Sequence, residues 1–152
     1  MNPQAAQNYL KTRVQTATPE QLQMMLYDGA IRFAEQTKLA LVKKDWEGVY
    51  THCSRAQKIV AELNSGLKHS IAPDMCGKLA ALYNFIYRKL VEASTQHTLQ
   101  SIDEALRLLH YQRETWVLLL DRLAKEKAAA AAARIDLPAP NARMEAMISM
   151  QG

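Results

Sequence analysis

The sequence predicts an all-α protein: an antiparallel up-down-up-down four-helix bundle with a short N-terminal cap segment and a flexible C-terminal tail. Three observations lead there. Ala, Leu, Gln, Glu and Lys, residues of low helical cost, dominate long stretches of the chain. Five Gly and five Pro in 152 residues never recur at the short spacing of all-β folds. Apolar residues step by three or four over four separate stretches. A chain of 152 residues makes one domain, with a core large enough to need neither a disulfide nor a metal.

Residues 1–17 are polar, with Tyr9, Leu10 and Val14 as isolated apolar side chains near one face. That is too little for a core helix and enough for a movable cap. The first core helix begins at Thr18-Pro19-Glu20-Gln21, where Thr18 caps the amide of Gln21, Pro19 fits the first helical position and Gln21 reaches back. Leu22, Met25, Leu26, Gly29, Phe33 and Leu41 trace its apolar face to about Val42. Gly29 inside a helix costs about 1 kcal/mol against Ala, so a close neighbour is expected there.

Asp45 caps a second helix from Trp46 to about Gly66, with Val49, Cys53, Ala56, Ile59, Val60, Leu63 and Leu67 facing inward. Lys68 to Pro73 reads as a loop. A third helix spans about Asp74 to Ser94 on the stripe Met75, Leu79, Leu82, Tyr83, Ile86, Leu90 and Ala93. The fourth starts near Ser101-Ile102-Asp103-Glu104, a second capping-box pattern, and Arg113 interrupts its stripe, as expected of a side chain that snorkels. Short connections make sequential helices antiparallel. The alanine run Ala128 to Ala133 extends the fourth helix, and Pro138 and Pro140 end any helix there. The expected organisation is a cap at 1–17, a bundle at 18–127 and an Ala-rich extension with a Met-rich tail at 128–152.

Chemistry is missing from this pattern. No residue three before His52, His69, His97 or His110 is Glu, which removes the Glu-x-x-His pairs of di-iron bundles. Phosphate-loop, zincin and nucleophile-elbow motifs are absent too. Cys53 follows His52 directly, which turns the two side chains about 100° apart on a helix. No cofactor, metal or catalytic residue is expected. The net charge of +4 and pI of about 9.1 raise the alternative of a helical regulatory or nucleic-acid-binding module. Only Lys43-Lys44 and Arg88-Lys89 adjoin, however, and acidic residues interleave the rest, so the basic residues form a solvated mixed surface. With no signal peptide, no membrane-length apolar run and two cysteines outside any CxxC spacing, the expected location is the cytosol, without membrane insertion.

What the chain has in excess is apolar surface. A bundle helix needs about three apolar positions in seven. Met24 to Tyr27 with Ala30 and Ile31, and Tyr83 with Phe85 to Tyr87, exceed that and point to a groove for a partner segment.

The residues then carry a resemblance. Thr16 to Leu22 (TATPEQL), Met25 to Arg32 (MLYDGAIR), Arg55 to Leu63 (RAQKIVAEL) and Leu82 to Ala93 (LYNFIYRKLVEA) are similar to the signature of the flagellar export chaperones of the FliS family. Tyr9 and Trp116 match family aromatics, and the resemblance covers roughly residues 9–120. It implies a cytosolic helical bundle that binds the disordered C-terminal segment of flagellin, prevents premature polymerisation and delivers it to the export gate protein FlhA. Self-association is left open. On this reading the flagellin groove and its cap comprise Tyr9, Leu10, Val14, Leu22, Leu26, Tyr27, Ile31, Leu79, Leu82, Tyr83 and Ile86. The chain departs from the family at Ser70 to Gly77, where a glycine-rich acidic stretch is usual, and at Asn84-Phe85, where Asp-Tyr is usual.

Overall fold

A computed structural model describes residues 2–136, all of them helix or short connection: α1 (Pro3–Thr16), α2 (Pro19–Val42), α3 (Trp46–Ser65), α4 (Pro73–Gln96) and α5 (Leu99–Asp136). The chain divides into two units, Met1–Trp116 and Val117–Gly152. In the first, α2, α3, α4 and the start of α5 share one core.

Local chemistry sets the ends of these helices. The Gln21 amide donates to Thr18 Oγ1 and the Thr18 amide to Gln21 Oε1, each at 3.1 Å, completing the expected capping box. Asp45 Oδ1 accepts from the Gly48 amide at 3.0 Å and starts α3. Between α2 and α3 the chain reverses through Lys44, whose φ of 57° ends the helical path. His97 does the same after α4 with φ 54°, and its ring stacks on Trp46 with centroids 4.0 Å apart.

Contacts fix the direction of each neighbour. Gly29 lies beside Ile59 and Gly48 beside Ala40, so α3 runs against α2. The Cys53 thiol donates to the Leu90 carbonyl, and the Asn64 amide to Asn84 Oδ1, so α4 runs against α3. Glu104 pairs with Lys89 and Ser101 with Glu92, while Asp103 pairs with Lys38 and Arg113 with Asp28, so α5 runs against both α4 and α2. The core between them holds Tyr27, Val49, Val60, Tyr83, Ile86, Leu90, Ile102 and Leu109, all nearly inaccessible. Ala30, Ala34, Ala56 and Ala93 are fully buried, and their small side chains let the helix backbones approach. Thr37 is buried as well, but its hydroxyl donates to the Phe33 carbonyl at 2.8 Å, so no polar group is left unpaired there.

The start of the last helix departs from expectation, and the segment before the bundle is the 14-residue helix α1, with no buried residue. Asn2 caps it, Pro3 starts it, and Ala5 and Ala6 favour it. The last bundle helix starts at Leu99 instead of Ser101, because the Ser101 hydroxyl is buried and donates to Glu92 Oε2 at 3.1 Å, leaving it no capping role. In the second unit, the described part is the remainder of α5, Val117 to Asp136. Its exposed charges pair along the helix as Asp121–Lys125 and Arg122–Glu126. Met144, Met147, Ile148 and Met150 lie outside the described residues.

Gly29 is buried, and a Cβ built on it would sit 3.0 Å from Ile59 Cδ1. That contact is with the movable tip of one side chain, so alanine is tolerable, whereas leucine must displace Ile59 and its neighbours. Gly29→Leu is expected to lose about 1–3 kcal/mol by overpacking, read as a lower melting temperature. A rise in melting temperature would mean helix propensity outweighs the contact.

At the α4–α5 turn, Lys89 bridges Glu92 at 3.1 Å and Glu104 at 3.2 Å. Lys89, then the Ser101 hydroxyl, hold Glu92 below its ordinary value of 4.5. A carboxylate depressed in the folded state contributes stability above the unfolded pKa and loses it as pH falls through the folded one. Glu92→Gln is therefore expected to flatten the fall in melting temperature between about pH 5 and pH 3. An unchanged acid limb would show that the turn does not depend on this charge.

Candidate partner-binding surfaces

On α1, residues spaced by three and four bring Ala6, Tyr9, Leu10 and Val14 to one side, with Arg13 among them. The Arg13 guanidinium lies 5.9 Å from the Tyr9 ring centre. None of α1 is buried: Tyr9 is 65% exposed, Leu10 51% and Val14 44%. The expected cap is therefore not seated on a groove in this structure. A helix of 14 residues is marginal in water by itself, so an uncovered apolar stripe on one marks a surface that a partner would complete.

The α1–α2 elbow is built from Ala17, in extended conformation, and the capped Thr18. Beside it lies a recess lined by Arg13, Thr16, Met24, Met25 and Asp28. Methionine adapts to irregular partners because its side chain is unbranched and flexible. Asp28 is held from behind by Arg113 of α5, and the Trp116 indole donates to the Glu20 carbonyl at 3.1 Å. These contacts hold the start of α2 in place while its outer face stays open. Arg113 thus ends in an ion pair at the surface, as its place in the stripe suggested.

The sequence-expected groove residues separate into two groups. Leu22 remains exposed, and Leu26, Leu79 and Leu82 are half-buried against the core. Tyr27, Ile31, Tyr83 and Ile86 are buried, at 3%, 7%, 1% and 0% exposure, which corrects their assignment to an open groove. The phenols of Tyr27 and Tyr83 meet across the bundle at 2.6 Å, and Gln23 Nε2 donates to the Tyr27 oxygen at 3.2 Å. The reason is geometric. A helix with neighbours on two sides and a third across the core buries a wider arc than a three-in-seven stripe covers.

A second surface, which apolar periodicity missed, follows the α3–α4 seam. Two recesses of about 480 and 500 Å³ meet there at Ala61 and Tyr87. The row Tyr50, Ser54, Gln57, Ala61 and Asn64 has helical spacing but is mostly polar and small. The only sequence signal was therefore the exposed tyrosines, Tyr50 and Tyr87.

Burial pushes the Cys53 thiol up to about 11, far from the thiolate form a nucleophile needs. Among the described residues, no three His, Cys, Asp or Glu side chains are grouped to hold a metal, and no helix is long and apolar enough to cross a membrane.

Comparison with known proteins places this arrangement. The sequence pattern of the family described as Flagellar protein FliS matches residues 1–132. The chain is 31% identical to the flagellar secretion chaperone FliS of Bacillus subtilis over 115 residues, 76% of this chain and 84% of that protein. It is 30% identical to the flagellar secretion chaperone FliS of Salmonella typhimurium over 112 residues, covering 73% and 83% of the two chains. A crystal structure of a flagellar chaperone from bacteria has the same fold, with a TM-score of 0.64 at 19% identity, over 80% of this chain and 99% of that one.

Proposed function

The chain belongs to the FliS family, and from that premise we propose that this flagellar secretion chaperone, which is not an enzyme, binds the C-terminal segment of flagellin. It holds that segment back from polymerisation in the cytosol and passes it to the export gate protein FlhA. The observation that carries the reading is the family match over residues 1–132, which spans α1, the elbow and the Met24–Met25 recess. The physics supports it. A segment that assembles through an apolar stripe is protected by a substitute stripe, and α1 presents Tyr9, Leu10 and Val14 uncovered. Leu22 on α2 is exposed as well, and Leu26, Leu79 and Leu82 are half-buried apolar positions on α2 and α4. Ordering a disordered client costs about 2–5 kcal/mol of the contact energy, which keeps the complex releasable at the gate.

Titration of the isolated flagellin C-terminal segment into the protein tests this by calorimetry and circular dichroism. The expected result is one-to-one binding with a gain of helicity in the segment. No heat and no helical gain at about 50 μM, where complexes of micromolar Kd are largely formed, would refute it.

A further inference from the structure

The charged side chains lining the α3–α4 seam carry one sign. Arg55 and Lys58 border one of its two recesses, the Arg55 guanidinium 5.6 Å from the Phe33 ring centre on α2, and no carboxylate lines either recess. They stand three apart on α3, which puts both cations on one side within a single turn. Between the helices, Ala61 and Ala80 form a shallow floor. Tyr87, 39% exposed, borders both recesses, and Tyr50, 71% exposed, borders the one it shares with Ala61; tyrosine is enriched among the residues that anchor interfaces. The Asn64–Asn84 hydrogen bond at 3.1 Å crosses the seam and holds its two walls together.

Charge decides which occupant fits. The chain's own free helix does not, because the only charged side chains in residues 2–17 are Lys11 and Arg13. Neither α1 of the same molecule nor α1 of a second copy complements two cations. An acidic segment does.

We propose that the α3–α4 seam is a second docking surface, taking an acidic amphipathic helix of a partner protein. Its carboxylates, three or four residues apart, meet Arg55 and Lys58, and an apolar side chain lies over Ala61 between Tyr50 and Tyr87. None of these residues is among those given to flagellin on α1, α2 and α4, so the surface does not rest on that reading.

The test uses the full chain, isotope-labelled for amide resonances, and a synthetic helical peptide of about 15 residues composed of Leu, Ala and Glu. The same peptide with Lys in place of Glu is the control. The acidic peptide is expected to shift the amides of Tyr50, Ser54, Ala61 and Tyr87, and to bind about tenfold more weakly when salt rises from about 0.05 to 0.3 M. Joint Arg55→Gln and Lys58→Gln substitution is expected to weaken it by about tenfold or more. Tyr50→Ser, at an exposed position that leaves the fold intact, is expected to weaken it several-fold at unchanged melting temperature. Flagellin-segment binding stays unchanged in all three substitutions. Equal binding of the acidic and basic peptides, shifts confined to α1 and α2, or unchanged affinity in the variants would overturn the proposal. So would parallel loss of flagellin binding, or self-association abolished by the same substitutions, which would give the seam to the client or to a second copy.

Discussion

Replacing Tyr83 by alanine is expected to destabilise the bundle by about 3–5 kcal/mol, as for other large buried aromatics cut back to a methyl group. Two losses combine. The ring is 1% exposed and packs among Ile86, Val60 and the other core residues, so its removal leaves a cavity. Its hydroxyl also meets Tyr27 at 2.6 Å, so the Tyr27 phenol keeps only Gln23 as a partner. Denaturant unfolding with a lower midpoint and an unchanged slope is the expected readout. Tyr83→Phe keeps the ring and should cost only about 1 kcal/mol, the usual net worth of a hydrogen bond. Burial first, and then the bond to Tyr27, raise the Tyr83 pKa above its ordinary value of 10.0. The neutral phenol therefore stabilises the fold below about pH 10, and that contribution is lost at more alkaline pH. Tyr83→Phe should reduce that alkaline loss. Flagellin-segment affinity unchanged in Tyr83→Phe accords with a core residue, whereas a large loss at intact stability would return Tyr83 to the binding surface.

That result bears on what a sequence of this kind reveals. The helices from Pro19 onward were legible because capping residues and apolar spacing are local: Thr18 and Gln21, and Asp45 with Gly48, act within four residues of each other. Gly29 was legible as a close approach because a glycine inside a helix needs a reason, though Ile59 as the neighbour was not. Which apolar rows face a partner was not legible. Tyr27 and Leu22 are both apolar positions on α2, yet one touches Tyr83 across the core and the other stays exposed. That difference arises from where α4 and α5 pack, 50 or more residues along the chain, and periodicity within one helix does not contain it. Ser101 misled for the same reason: its capping-box pattern is local, but Glu92 takes its hydroxyl from the preceding helix. The α3–α4 seam was hidden differently. Its floor is alanine and its α3 row mostly small and polar, so a search for surplus apolar residues picks out Tyr87 without the surface around it.

Replacing Tyr9, Leu10 and Val14 together by serine is expected to leave the melting temperature nearly unchanged and to weaken flagellin-segment binding by about 30-fold or more, some 2 kcal/mol. Stability should hold because α1 has no buried residue, and exposed substitutions of this kind usually stay within about 0.5 kcal/mol. Affinity should fall because these three are the largest exposed apolar side chains on α1, ahead of the elbow at Ala17 and Thr18. The opposite sign belongs to a different mechanism. Were α1 a cover over an already formed groove, removing its apolar grip would free that groove, and the client would bind more tightly. A probe dye separates the two independently: loss of an exposed stripe lowers dye binding, whereas uncovering a groove raises it. The present geometry, with Tyr9 65% exposed, calls for the first outcome in both measurements. Tighter binding together with brighter dye would assign α1 the role of a lid, and unchanged affinity would move the client off α1 altogether.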